Sequence, residues 1–225
     1  MHIDFNIPMP LFPLNACALL PHTLTPLHIF EARYRRMVRN ALDSNGLIAM
    51  ATFKGERWRE EYEGSPPIRP CVCVGYIVQH ELLPNGRYNI LLQGECRARV
   101  VEEVIQSPYR RAVLKPMEFE PPMEIDLEPC RDRIEKLLSD PMLKQWSQVQ
   151  AVSNWNSREI PTIALLDQMV QALCPSTDQR YAMLEESCPC ERAELLHRHL
   201  MQTRKTFYRA QHFGRCVSEQ GLALN

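Results

Sequence analysis

PLHIFEARYRRMV, residues 26–38, changes its period part-way along. Pro26, with Pro21, Thr23 and Thr25 ahead of it, holds the chain extended, because proline disfavours the helical region for its predecessor and β-branched residues favour strands. From Phe30 the spacing becomes helical. Phe30, Tyr34, Met37, Val38, Ala41 and Leu42 fall at i, i+4, i+7, i+8, i+11 and i+12, one face of an α-helix. Glu31 lies in the first turn, where the helix dipole favours an acid, and Arg35 follows it at i+4. Asn45-Gly46 supplies the stop. Such a strand-to-helix passage is either a catalytic turn or the corner of a barrel that wraps around a helix. The chemistry favours the corner. A carboxylate beside guanidinium groups stays ionised, which suits an ion pair better than a proton donor. Glu31 and Arg35 are therefore expected to form a structural helix start.

Outward from this corner the chain is rich in short strands. Leu11–Leu14 and Ala16–Leu20 are extended pieces, Leu47–Phe53 reads as a buried strand, and the polar stretch Lys54–Pro70 reads as a loop. Cys71–His80 is a strong strand, and Asn85-Gly86 marks a hairpin turn because it supplies positive φ. Arg87–Gln93 and Cys96–Gln106 read as strands broken at Gly94, and Tyr109–Met117 as another. Many short strands around one helix predict a closed or nearly closed barrel. The acidic, proline-rich run Glu118–Pro129 reads as a linker. Beyond it the period is 3.6. Ile134, Leu137 and Leu138 mark one helix, and Leu143–Trp155 a second. A third carries Ile163, Leu166, Met169, Val170 and Leu173, and Asp178–Glu186 is a short fourth. Ala193, Leu196, Leu200, Thr203 and Phe207 give the stripe of a longer last helix. The expected architecture is α+β: a barrel over residues 1–120, a small helical bundle over 125–213, and a frayed tail over 214–225.

The 225 residues are 45% hydrophobic, enough for a substantial core. A formal net charge of −1, from 26 basic and 27 acidic side chains, implies no general attraction to nucleic acid or membrane. The start, MHIDFNIPMPLFPL, breaks any continuous apolar leader, and no run reaches the ~18 apolar residues of a membrane helix. The expectation is a cytoplasmic protein with reduced thiols. Nine cysteines include two C-x-C pairs, Cys71/Cys73 and Cys188/Cys190. Zinc sites usually show C-x₂₋₄-C pairs, so neither pair predicts a metal, and small buried hydrophobes account for Cys71 and Cys73.

The order of these elements resembles a known family. The runs PLFPLNACALLPHTLTPLHIFEARYRRMV, GLIAM, CVCVGYIVQHELLPNGRYNILLQGECRARV and YRRAVL, with IPTIALLDQMVQAL and ERAELLHRHLM further on, are similar to the N-terminal substrate-binding domain of Lon proteases, in its stand-alone bacterial form. Many members have proline where this chain has Ala32; alanine is the better helix former, so the helix is unaffected. The resemblance implies a PUA-like pseudo-β-barrel with one embedded helix, followed by the helical bundle. It also implies binding of unfolded or extended polypeptide segments, as adaptor, holdase or regulator, with a separate protease or chaperone as a further expected partner. No G-x-x-x-x-G-K-[ST] phosphate loop occurs in the sequence, nor a stretch resembling the family's serine–lysine peptidase. No catalytic residue, metal or cofactor is expected.

Candidate contacts come from exposed aromatics and a basic cluster. Trp58 and Tyr62, i and i+4 in a charged loop, are expected either to anchor a peptide or to fold back over the barrel, and Trp155 joins them as a peptide-binding candidate. Arg97 and Arg99 share a strand face and form the alternative, RNA-facing reading, since PUA barrels often bind RNA. The flanking Glu95, Glu102 and Glu103 favour a plain solvated face. His197 and His199 diverge on a helix and cannot readily share a metal. A Cys17–His22 or Cys73–His80 hydrolase is the last alternative.

Overall fold

The computed structural model describes residues 3–15, 17–55, 57–59, 65–104, 108–117, 122–152, 155 and 159–222, with side chains described as far as residue 211. It divides into two compact units. The first comprises residues 1–120 and 175–187, and the second residues 121–174 and 188–225.

The first unit is built on six strands: β1 (Met9–Leu14), β2 (Leu24–Ile29), β3 (Leu47–Thr52), β4 (Cys71–Leu82), β5 (Tyr88–Val104) and β6 (Arg111–Pro116). β1 runs parallel to β3, with Leu11 opposite Ala49. The pairs β3–β4, β4–β5, β5–β6 and β6–β1 are antiparallel, so five strands close into a ring. Closure leaves little interior space. Small residues meet this limit: Ala49, Ala51, Ala98 and Ala112 alternate with Met9, Leu11, Leu47, Val72, Val74 and Leu114 inside. All six positions of β3 are buried, because its other face carries α1 (Ala32–Leu42) through Tyr34, Met37, Val38 and Ala41. Phe12 meets the Tyr34 ring edge-on at 4.7 Å.

β5 is one strand of 17 residues, where the sequence predicts two. Gly94 marks an irregularity and not an end. A Cβ there would sit 2.0 Å from the Leu20 carbonyl oxygen. The strand tolerates this crossing because glycine has no side chain, and the crossing chain bonds to it: His22 N–H donates to Gly94 O and Gly94 N–H to Thr23 O, both at 2.9 Å. Beyond Gly94, the first half of β5 leaves the ring and pairs with β2 on one side and the distal half of β4 on the other. This three-stranded arm ends at the Leu83–Arg87 turn, with Gly86 at φ 74°.

The helix α5 (Thr177–Glu185), grouped with the bundle by sequence spacing, lies on the sheet of the first unit. Its Tyr181 hydroxyl accepts the Cys71 N–H at 2.9 Å, and Arg69 stacks over the Tyr181 ring at 4.5 Å. Cys71 and Cys73 are fully buried on the outer face of β4, opposite the interior Val72 and Val74.

The second unit holds α2 (Glu124–Leu138), α3 (Ser147–Val152), α4 (Thr162–Leu173) and α6 (Pro189–Leu222). α2 begins at Glu124, inside the predicted linker, and takes Pro129 within it. Proline near a helix start forfeits a single backbone bond, which the buried Leu127, Ile134, Leu137 and Leu138 outweigh. Leu165, Leu166, Met169, Val170, Leu173, Ala193, Leu196 and Leu200 complete the core. A wholly buried Asp167–Arg192 pair, 3.7 Å apart, lies among them. The Glu124 carboxylate accepts the Thr162 N–H at 3.0 Å, which places an acid at the start of α4. α6 continues through Gly214 to Leu222, over the stretch read from the sequence as a tail.

Candidate functional site

The arm offers an open strand edge. β2 pairs with β5 alone, so its other side is unpaired among the described strands. Along β2 burial alternates: Thr25 and Ile29 point inward, whereas Leu24, Pro26 and His28 face solvent. Phe30 continues the outward row and is 59% exposed, and Leu24 is 53% exposed. Phe30 stacks on His28, with ring centroids 6.3 Å apart. On the same face a polar ladder crosses all three strands. Asn89 Nδ2 donates to Glu81 Oε2 at 3.0 Å, which leaves Asn89 Oδ1 to accept from His28 Nδ1 at 2.8 Å. The imidazole Nε2 is then the edge that the ladder does not use.

A side chain of α1 holds the arm in place. Arg35, matched by spacing to Glu31, reaches the hairpin and donates to Gly86 O at 3.3 Å and Asn85 O at 3.5 Å. Glu31 instead has extended backbone (φ −67°, ψ 137°) as the cap of α1, and its carboxylate pairs with Arg33 at 3.0 Å. Helical i, i+4 geometry does not apply from a residue that is not itself helical. The same reason explains Phe30. It lies between Ile29 and the cap, so it follows the strand period of two and not the helix period that placed it in the core.

The other predicted contact residues are dispersed. Trp58 is half-buried, with its ring parallel to the buried Phe53 ring at 5.6 Å and the Arg59 guanidinium 5.5 Å from its centroid. Tyr62 lies outside the described residues. Trp155 is half-buried and belongs to the second unit. Arg97 and Arg99 do share the outer face of β5, opposite Cys73 and Cys71, but Arg97 is only 6% exposed while Arg99 is open to solvent.

Three thiols of the first unit, Cys17, Cys71 and Cys96, do not have the electrostatics of nucleophiles. Burial raises Cys17 and Cys71, and burial with the Glu95 carboxylate pushes Cys96 up to about 11. A reactive cysteine needs the opposite shift. Cys73, one of the two thiols paired with histidine in the sequence reading, is fully buried. Among the described residues there is no group of three metal-ligating side chains suited to a metal ion. No helix there is long and apolar enough to cross a membrane.

Residues 8–202 match the family described as the ATP-dependent protease La (LON) substrate-binding domain. The chain belongs to this family. Curated relatives of the LON substrate-binding domain include Lon protease 1 of Thermus thermophilus, 29% identical over 54% of this chain and 15% of that protein. Lon protease of Dictyoglomus thermophilum is 29% identical over 53% of this chain and 15% of that protein. The aligned stretch thus spans about one seventh of each relative's length. In fold, the chain is similar to the N-terminal domain of a Mycobacterium avium complex Lon protease. The TM-score is 0.66 at 14% identity, covering 87% of this chain and 98% of that one. It is also similar to a Lon N-terminal domain protein from Xanthomonas campestris, with a TM-score of 0.56 at 21% identity over 84% and 96%. The strand barrel and the helical bundle implied by resemblance are therefore the fold of this LON substrate-binding domain.

Proposed function

We propose that the chain is a non-catalytic polypeptide-binding module that takes extended or unfolded segments along the open edge of β2. The observation that carries this reading is the outward row Leu24, Pro26, His28 and Phe30 beside that edge. A docked strand gains backbone hydrogen bonds from the edge and side-chain contacts from alternate positions. Pro26 fits the outward-facing set, since a residue without an N–H is tolerated where the ladder needs no donor. The edge then offers N–H groups at Leu24 and His28 and carbonyls at all three positions. The gap at Pro26 also limits long edge-to-edge pairing between copies. The family's description as a substrate-binding domain supports the class of ligand. Raised thiols and the lack of a phosphate loop in the sequence support the absence of hydrolytic chemistry. Trp58 and Trp155 act as secondary contacts in this reading, as does Tyr62. The module works in the cytoplasm and passes its clients to a separate protease or chaperone.

The test is fluorescence anisotropy with labelled, reduced and carboxymethylated lactalbumin, a permanently unfolded polypeptide. Each exposed anchor is expected to contribute about tenfold in affinity, typical of an interface hot spot. A Leu24→Asp/Phe30→Asp double variant should therefore bind at least about tenfold more weakly. Unchanged binding would refute the edge. Binding of a structured RNA that falls steeply with salt and is lost in an Arg97→Glu/Arg99→Glu double variant would favour the RNA-facing alternative.

A further inference from the structure

Three thiols converge in the second unit. Cys130 lies on α2, Cys188 just ahead of α6, and Cys190 in the first turn of α6. All three are partly open to solvent. Cys190 lies beside both of the others, and burial together with those two neighbours pushes its thiol up, which leaves it the resolving and not the peroxide-reactive partner. The register between the helices is fixed independently of sulfur. Arg133 donates to the Cys130 sulfur at 3.5 Å and pairs with Glu194, and Asp140 pairs with Arg204 at 3.3 Å. The contacts 130/190, 133/194 and 140/204 advance together, so α2 and α6 run side by side in the same direction. Cys130 and Arg133 share one face of α2, and Cys190 and Glu194 share one face of α6, because three- and four-residue steps return to the same side. The Arg133–Glu194 pair therefore presents the Cys130 face to the Cys190 face, one turn nearer the helix starts.

We propose that Cys130 and Cys190 form a reversible disulfide when the protein meets a peroxide. In a first step the peroxide transfers one oxygen to the Cys130 sulfur, the one to which Arg133 donates, giving a sulfenic acid and releasing water. The facing thiol then attacks that sulfur, the S–O bond breaks, and a second water leaves with the thiol proton. In sum, two thiols are oxidised to one disulfide and one hydrogen peroxide is reduced to two waters. A dithiol reductant restores the thiols through a mixed disulfide. Cys188 is not the partner of choice for Cys190. Only Pro189, with its φ fixed, separates them, and a disulfide requires a specific Cα separation and dihedral that this stiff tripeptide opposes. Regulatory disulfides of this kind are transient in reducing compartments. The site is separate from the β2 edge and does not depend on it.

The test treats the purified full chain with hydrogen peroxide, blocks free thiols with N-ethylmaleimide, and maps tryptic peptides by mass. The expected product is a peptide containing Cys130 linked to one containing Cys190, lighter by two hydrogens and separated by dithiothreitol. The link should persist in Cys188→Ser and vanish in Cys190→Ser and Cys130→Ser. Circular dichroism melting checks that the variants remain folded; because Cys188 and Cys190 share the tryptic peptide 181–192, fragment ions of the linked wild-type peptide decide which of them is bridged if a variant does not fold. A Cys188–Cys190 bridge, over-oxidation to sulfinic acid at these positions, or a Cys130 that remains open to the maleimide would each overturn the proposal.

Discussion

Replacing Gly94 by alanine tests how the barrel and arm are joined. The new Cβ would lie 2.0 Å from the Leu20 carbonyl oxygen and 2.8 Å from the Leu20 carbonyl carbon. Both obstacles are backbone, so rotation of a side chain cannot relieve the overlap. Either β5 or the 17–23 crossing must move by about 1 Å, the difference from a tolerable contact. Two backbone hydrogen bonds span this crossing, His22 N–H to Gly94 O and Gly94 N–H to Thr23 O. Leaving a buried backbone partner unsatisfied costs about 1–3 kcal/mol. Loss of both gives a destabilisation of about 3–5 kcal/mol, in the range reserved for strained or broken buried networks. Urea denaturation followed by tryptophan fluorescence would measure it. The crossing leads directly into β2, so unfolded-polypeptide binding should weaken in the same variant even under conditions where it stays folded. A loss of less than about 1 kcal/mol, an ordinary surface value, would refute the reasoning.

The other predictions are local. Phe30→Asp should change stability by no more than about 0.5 kcal/mol, since the ring is already exposed, while lowering polypeptide affinity about tenfold. Arg35→Ala should cost about 0.5–1.5 kcal/mol, the worth of its hydrogen bonds to the hairpin, and should speed amide exchange at Leu82–Tyr88. Cys96 should resist iodoacetamide until the solution approaches its pKa of about 11. Its folded pKa lies above the ordinary thiol value, so the folded state holds the proton longer. The stability this contributes is complete below the ordinary thiol range and falls as pH rises towards about 11, which denaturation at stepped alkaline pH would show. Closing the loop of roughly sixty residues between Cys130 and Cys190 should stabilise the oxidised chain by up to about 4 kcal/mol, read as a raised melting temperature.

The barrel could be read in the sequence because its strands carry local signals. Leu47–Thr52 is apolar at both faces and is buried at both; Asn85-Gly86 marks the turn the structure has. The bundle stripe at Ala193, Leu196 and Leu200 is likewise core. What could not be read depends on contacts remote in sequence. α5 shows a helical pattern like its neighbours, and only the Tyr181 hydroxyl meeting Cys71 N–H reveals that it lies on the sheet. Gly94 looks like a strand break until Leu20 is seen crossing it. Most of the candidate edge was present in the first quoted stretch as a row with period two, Pro26, His28 and Phe30, with Leu24 just ahead of it. The helix period starting at the same phenylalanine concealed it. Arg97 and Arg99 share a face as expected, but alternation alone does not report that one of them is covered.

Amide hydrogen exchange on the full chain, with and without carboxymethylated lactalbumin, addresses the binding edge most directly. The account predicts new protection concentrated at the Leu24 and His28 amides, with the Arg99 segment of β5 unchanged. Protection confined to the Arg97–Val104 half of β5 or to the helical unit, with the β2 amides exchanging as before, would contradict it.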